Sequence, residues 1–135
     1  MTSPVLALRA AIRAACLGDA PLATLMDRAI HDEAPRAAQA VYATFGDVAL
    51  RDASTSTERG HEQDFAILVW SKRASAASGL AAAERLARIL DDARLALAGH
   101  RLVSLAVTGL DAGLDEQTAT SRVALRLRAF TETLP

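Results

Sequence analysis

The sequence predicts an α+β fold, in which an antiparallel or mixed sheet of four to five strands carries a long helix on one face and a helical pair at its N-terminus. Three observations support this prediction. Apolar residues recur at helical spacing in the opening segment and again between residues 77 and 97. Other segments alternate between apolar and polar residues, as strands do. The strand at residues 65–70 is apolar on both faces, so a helix can cover only one of them.

Length and composition predict a single globular domain over residues 1–135. Hydrophobic residues make up 51 % of the chain and charged residues 23 %, which is typical of a folded sequence. The net charge of −1 gives no indication of a nucleic-acid binder or a polybasic membrane contact. No apolar run approaches the ~18 residues of a membrane span, and no secretory leader is expected at the start. Cys16 is the only cysteine, so an internal disulfide is impossible.

The first helix is predicted to begin at Ser3 and Pro4, because serine caps free amides and proline fits the first helical position. An apolar stripe follows, and Gly18 ends the helix. The stripe consists of Val5, Leu8, Ile12 and Cys16. We interpret Cys16 as a core residue rather than a nucleophile, because no activating base lies near it in the sequence. A second, short helix is predicted from Asp19 to about Met26.

Two strands are predicted after the helical pair. A short strand covers Arg28–Asp32 and is broken by Pro35. A longer strand covers Ala40–Leu50, in which Gly46 and Asp47 mark a bulge.

The remaining elements are a strand, the long helix and a hairpin. Glu62–Ser71 is the strand with two apolar faces. Gly79–Leu95 is the clearest helix in the chain, because its leucine and alanine residues form an apolar stripe. Arg101–Leu110 and Ser121–Thr131 are predicted to pair as a hairpin through the polar linker 111–120.

A polar loop at residues 52–60 holds no apolar side chain larger than alanine. Such a loop is either flexible in isolation or ordered by a partner. We therefore regard it as a candidate contact surface, together with the tryptophan near the end of the following strand. The residues concerned are Ser54, Thr55, Ser56, Thr57, Glu58, Arg59 and Trp70.

No catalytic, cofactor or metal site is predicted. The three histidines lie far apart in the sequence and lack metal-ligand spacing. The adjacent carboxylates Asp91 and Asp92 would face different directions on a helix. The isolated glycines form no phosphate-binding loop, and no nucleophile elbow occurs. These patterns disfavour an enzyme.

One charged strand face is the sharpest feature of the sequence. Arg122, Arg126 and Arg128 occupy alternate positions in the last strand and so share one face. Two interpretations stay open: the face is solvated, or it contacts an acidic surface through bidentate guanidinium bonds. For the second, a neighbouring copy of the chain offers the acidic residues of the preceding linker. These are Asp111, Asp115 and Glu116.

The order of these segments resembles the phage tail-completion or tail-terminator proteins of siphophages, prophages or gene transfer agents. The matching segments are the opening PVLALRAAIRAACLGDAPLATLM, the strand RAIHDEAP, the loop and strand RDASTSTERGHEQDFAILVWSK, and the closing LALAGHRLVSLAV and SRVALRLRAF. The resemblance extends from about Pro4 to Phe130. One departure is RAAQAVYATFGDVA, where the family has a more apolar strand.

The resemblance implies a structural protein without a cofactor. A tail terminator forms a ring, expected to be a homo-hexamer, that caps the tail tube, stops tube polymerisation and joins the tail to the head-side connector. The implied partners are other copies of the chain, the tail tube protein and a connector or stopper protein. DNA only passes through the ring, and no membrane is involved. The implied location is the bacterial cytoplasm during assembly and then the head–tail junction of a virion or phage-like particle.

An alternative interpretation is a soluble assembly chaperone or a small binding module that acts as a monomer or dimer. The strand with two apolar faces favours the ring, because each subunit of a closed ring has a heterologous interface with two neighbours. Such an interface can cover an apolar surface without open-ended aggregation.

Overall fold

The chain folds into one β-sheet with helices packed against it in a computed structural model, which describes residues 3–27, 29–35 and 40–135. In chain order the elements are α1 (Pro4–Leu17), α2 (Ala20–Ala23), β1 (Ile30–His31), β2 (Val41–Asp52), β3 (Gly60–Lys72), α3 (Ala76–Leu90), β4 (Ala96–Leu97), β5 (His100–Asp115) and β6 (Thr120–Thr133). The sheet order is β1-β2-β3-β6-β5-β4. β1 runs parallel to β2, and all other neighbouring strands are antiparallel.

The α+β class is confirmed, but the sheet has six strands rather than the predicted four to five. The unpredicted strand is β4. It exists because α3 ends at Leu90 and not at Leu95, and Asp92 takes a left-handed backbone conformation with a φ of 57°. The chain beyond this early stop forms β4 and enters β5. β1 occupies part of the predicted strand Arg28–Asp32, of which Arg28 lies outside the described residues.

Helix α1 begins at the predicted cap. The Ser3 hydroxyl accepts a hydrogen bond from the amide of Leu6 at 3.2 Å, and Gly18 caps the other end. Three residues of the predicted stripe are buried, namely Leu8, Ile12 and Cys16. Burial raises the pKa of the Cys16 thiol to about 12, and the Asp19 carboxylate adds to the shift. The thiol therefore stays protonated and serves as a core residue, as predicted.

Helix α2 is held at its start by a carboxylate. Asp19 accepts a hydrogen bond from the amide of Leu22 at 2.9 Å. The same carboxylate receives Arg85 of α3, whose Nη2 and Nε lie 2.7 and 2.9 Å from its two oxygens. The helix ends at Ala23, so the predicted extension to Met26 is wrong.

Helix α3 crosses the sheet diagonally. Near its start, Gly79 packs against Ser71 at the end of β3, where an added Cβ atom would lie 2.7 Å from the Ser71 Oγ. Just beyond its end, Asp91 accepts a hydrogen bond from the amide of Val107 in β5 at 2.9 Å. The helix buries Gly79, Ala82, Ala83, Leu86 and Leu90. The far end of β5 lies outside this diagonal, and residues 110–115 are all exposed.

The sheet has an inner face, toward α3, and an outer face on the opposite side. The β3 residues on the inner face are buried in the core and are Phe65, Ile67 and Val69. The alternate β3 residues on the outer face are Ala66, Leu68 and Trp70. This division confirms the alternation that the sequence predicts.

Strand lengths differ from the predictions mainly in the β5–β6 hairpin. β5 ends at Asp115 rather than Leu110, so most of the predicted linker is strand and a turn at residues 116–119 joins the two strands. In β2, the predicted bulge at Gly46 and Asp47 is confirmed by a register shift between residues 45 and 48.

Candidate functional site

The outer face of the sheet holds the predicted arginines. The antiparallel register places Arg122, Arg126 and Arg128 of β6 opposite Trp70, Ala66 and Asp64 of β3, respectively. The three guanidinium groups therefore share one face, as the alternation predicts, and all three residues are exposed.

Two of the three arginines pair with carboxylates of the same chain. Arg126 Nε lies 2.8 Å from Asp111 Oδ2. Arg128 Nε lies 2.8 Å from Asp64 Oδ1 and 3.0 Å from Glu62 Oε1. These two guanidinium groups are therefore neutralised without a neighbouring subunit, and their contact with a neighbour stays a prediction.

Asp64 is the centre of this charge network. It also accepts a hydrogen bond from Arg51 Nη1 at 2.6 Å. The hydrogen bond from Arg128 is the main cause that lowers the pKa of Asp64, desolvation opposes it, and Arg51 adds to the lowering. The same bond raises the pKa of Arg128. Hydrogen bonds to the ionised form favour that form, so the network keeps the carboxylate charged.

Arg122 lies in a different setting, at the tip of the β5–β6 hairpin. It borders a cavity of about 330 Å³ lined by Trp70, Gly113, Leu114, Asp115, Glu116 and Arg122. Trp70 is oriented by a hydrogen bond from its Nε1 to Thr44 Oγ1 at 3.0 Å. The structure thus brings four predicted site residues together, with an aromatic ring, one cation and two acidic residues around a small cavity.

The polar loop lies at the opposite end of the sheet from this cavity. It enters β3 at Gly60, ten residues before Trp70, and ten residues of strand span roughly 33 Å. The predicted site residues therefore do not form one site: they are divided among the cavity, the loop, and the ion pairs of Arg126 and Arg128 on the outer face.

Hydrogen bonds within the loop give it a defined turn. Ser54 Oγ donates to Asp52 Oδ1 at 2.6 Å and accepts from the amide of Gly60 at 3.1 Å. The amide of Thr55 donates to the carbonyl of Glu58 at 2.8 Å. The hydrogen bonds from the Ser54 hydroxyl and amide lower the pKa of Asp52. Residues 52–59 are all exposed, so the polar side chains are available to a partner.

The described part of the chain contains no cluster of three or more His, Cys, Asp and Glu residues that could hold a metal ion. Within residues 3–27, 29–35 and 40–135, no helix is long and apolar enough to cross a membrane. His31 contacts Asp27, with 3.1 Å between its Nε2 and the Asp27 Oδ2. Asp91 and Asp92 both bond to backbone atoms of β5 and form no carboxylate pair.

Sequence reasoning missed one feature, the long edge of β5. The segment after Leu110 is predicted as a linker but forms a strand, and β4 pairs only with His100 and Arg101 on that edge. The alternation of leucine with small or acidic residues in GLDAGLDE has the period of two typical of a strand and is the signal that could have found it.

Comparisons with known proteins agree with this architecture. The model of the family described as tail completion protein gp17 matches residues 10–132. A chain in a solved structure described as "Virion of native gene transfer agent (GTA) particle" is 31 % identical with a TM-score of 0.81, and the match covers 98 % of this chain and 99 % of that chain. No curated protein gives a significant match. Because the family match extends over most of its length, the chain belongs to the tail completion protein gp17 family.

Proposed function

We propose that this chain is a tail terminator. In this role, copies of the chain form a ring, expected to be a hexamer, that caps the finished tail tube, stops its polymerisation and joins it to the head-side connector. The observation that carries the proposal is the family match over residues 10–132. A likeness at 31 % identity to a chain of a gene transfer agent virion supports a place in the tail of a phage-like particle.

The partners follow from this role. They are other copies of the chain, the tail tube protein and a head-side connector or stopper protein, with DNA passing through the ring as cargo. The protein would assemble in the bacterial cytoplasm and end at the head–tail junction. The cavity beside Arg122 and the loop 52–60 lie at opposite ends of β3, roughly 33 Å apart. This separation suits a subunit that contacts two different partners, one at each end.

An assembly chaperone is the second candidate function. A chaperone leaves before the particle is complete, whereas the matching chain belongs to a finished virion. That observation favours the terminator. Quantitative mass spectrometry of purified particles separates the two, because a terminator stays in each particle at constant stoichiometry and a chaperone is absent.

Removal of the protein from producing cells tests the proposal. We expect tubes of irregular, extended length and heads without tails, because nothing stops tube growth or joins the parts. Restored expression of the wild-type chain should return tails of one length. Tails of normal length and normal attachment in the absence of the protein would overturn the terminator function.

A further inference from the structure

Each edge of the sheet is covered over only part of its length. On β5, β4 pairs with His100 and Arg101. The turn after α3 then covers the next part, since the Asp92 amide donates to the carbonyl of Leu105 and Asp91 accepts from the amide of Val107. From residue 109 to residue 115, no strand in the described part of the chain pairs with this side of β5.

The other edge, β2, is open in the same way. β1 pairs with Ala43 and Thr44, and Arg9 Nη2 reaches the carbonyl of Gly46 at 3.4 Å. Within residues 3–27, 29–35 and 40–135, no strand pairs with the edge of β2 from residue 48 to residue 52. Among the described residues, the sheet therefore ends in two unpaired strand segments of five and seven residues.

The two segments carry only part of the usual protection of an exposed edge. Proteins protect edge strands with bulges, prolines, lysines or other charged side chains. Both bulges of β5 lie before residue 109, and the bulge of β2 lies before residue 48. Proline and lysine are absent from both segments, and their charged residues are Arg51 and Asp52 in β2 and Asp111 and Asp115 in β5. The unpaired amides and carbonyls are therefore free to pair with a further strand.

The side chains of the two segments complement each other on both faces. On the inner face, Leu110 and Leu114 of β5 are 37 % and 46 % exposed, and Leu50 of β2 is 46 % exposed. A groove of about 430 Å³ between α3 and β5 lies beside Leu110. On the outer face, β5 carries Asp111 and β2 carries Arg51, both largely exposed. Leu50 would thus meet apolar residues of β5, and Arg51 and Asp111, each already paired within its own chain, would lie on the same face.

The strand directions also match. β2 and β5 run in opposite directions, because three antiparallel pairings separate them. A second copy that continues the sheet in the same orientation therefore places its β2 antiparallel to β5 of the first copy. Such head-to-tail contacts close into a ring when the rotation allows it.

We infer that a second copy of this chain docks on the open edge of β5 by adding its own β2. Residues 48–52 of one copy pair with residues 109–115 of the next, so that the sheet continues from subunit to subunit. The leucines of β2 and β5 stay on the inner face only if inner-face residues of the two strands lie opposite each other. Leu50 therefore lies opposite Leu110, Ala112 or Leu114. This inference rests on the proposed ring and names the surfaces that close it.

Cross-linking within purified particles tests this contact. In the double variant Leu50→Cys/Ala112→Cys, both positions are exposed, and the native Cys16 is buried and does not compete. Within one chain, three strand spacings and seven residues of strand separate the two positions, more than about 20 Å. A short bis-maleimide therefore bridges them only between subunits.

We expect a ladder of cross-linked species on a denaturing gel, from dimer up to the full ring. The matched control is Leu50→Cys/Val103→Cys, because Val103 is also exposed on β5 but lies outside the open segment. The ladder of the control should be at least tenfold weaker. Single-cysteine variants should give no species above a dimer.

If neither the double variant nor the control gives a ladder in particles with tails of normal length, the edge contact is overturned. That result would leave the terminator function intact. Failure of the terminator function has a different signature, since tails then keep their normal length when the protein is absent altogether. If the control gives a ladder of the same yield, the proposed edge contact is also overturned, because the cross-links then do not depend on which β5 residue carries the cysteine.

Discussion

The two faces of the β3–β6 pair are built from alternate residues of the same strands, yet they differ in what they contribute. On the inner face, Leu125 and Leu127 are 0 % and 1 % exposed. On the outer face, the side chains of Arg126 and Arg128 are 59 % and 49 % exposed and pair with carboxylates. Burial of apolar groups stabilises a fold strongly, whereas exposed ion pairs contribute little. The inner face therefore stabilises the fold, and the outer face is available for contacts with partners.

The largest loss of stability is expected for a substitution on the inner face. Leu125→Ala removes a fully buried side chain and should lower the free energy of unfolding by about 2–5 kcal/mol, because the cavity cannot refill completely. The matched control is Leu110→Ala, since Leu110 is the cross-strand neighbour of Leu125 but is 37 % exposed. It should cost at most about 1 kcal/mol. Urea denaturation measures both, and equal losses would contradict the division of the faces.

A smaller loss of stability is expected for a substitution where α3 packs against β3. An added methyl group in Gly79→Ala would lie 2.7 Å from the Ser71 Oγ. Overpacking costs about 1–3 kcal/mol, which outweighs the gain of about 1 kcal/mol in helix propensity. Adding Ser71→Ala should restore part of the loss, because the clashing hydroxyl is gone. If Gly79→Ala alone raises the urea midpoint, the close approach of helix and strand is wrong.

Substitutions on the outer face should leave the stability of the isolated subunit nearly unchanged. We expect Arg126→Ala/Arg128→Ala to leave the urea midpoint nearly unchanged but to reduce the yield of capped tails, because this face is proposed to contact partners. Arg73→Ala/Arg94→Ala removes two exposed cations elsewhere and serves as the control. Normal yields of capped tails in both double variants would identify the arginine face as merely solvated.

The pH dependence of stability should show the contribution of the charge network around Asp64. Its folded-state pKa is lowered, mainly by Arg128, below the ordinary value of about 3.9. A carboxylate with a depressed folded pKa stabilises the fold above its unfolded value, and that contribution is lost as the pH falls through the folded value. The urea midpoint should therefore drop below about pH 4, and less steeply in Arg128→Ala. Identical pH profiles would show that the pair contributes nothing to stability.

The smallest effect concerns the loop 52–60. Its exposed polar side chains and its lack of apolar anchors predict rapid hydrogen exchange in the free subunit and slower exchange in the assembled particle. The amides of residues 63–70 in β3 serve as the internal standard, since they lie in the middle of the sheet. Equally slow exchange of the loop in both states would contradict a role in contacts.

Much of the fold follows from sequence periodicity, and the exceptions have physical reasons. The alternation in β3 and β6 predicts both faces correctly, because those strands are central and each face has one environment. The end of α3 is not predictable in this way, since the apolar spacing continues past Leu90, whereas the backbone is extended at Asp91 and left-handed at Asp92. The length of β5 was underestimated because an exposed edge lacks the apolar run that marks a buried strand.

The candidate site was less predictable than the fold. The sequence offers Asp111 of a neighbouring copy as a partner for the arginine face, whereas the structure pairs Asp111 with Arg126 of the same chain, fifteen residues away in a segment predicted as a linker. Only the pairing of β5 with β6 brings the two together. Contacts of this kind depend on strand register, which local patterns specify weakly.

The far end of β5 has a mechanical property that follows from its attachment along one side only. Among the described residues, the segment 109–115 pairs with β6 alone, while β6 itself pairs with β3 at the same level. At ~3.3 Å per residue, this segment is an edge strand about 23 Å long whose curvature is restrained on one side only. A strand added on the free side would restrain that curvature. In the proposed ring, this strand would adopt the bend that the ring diameter requires and would become stiffer once the neighbouring subunit is bound.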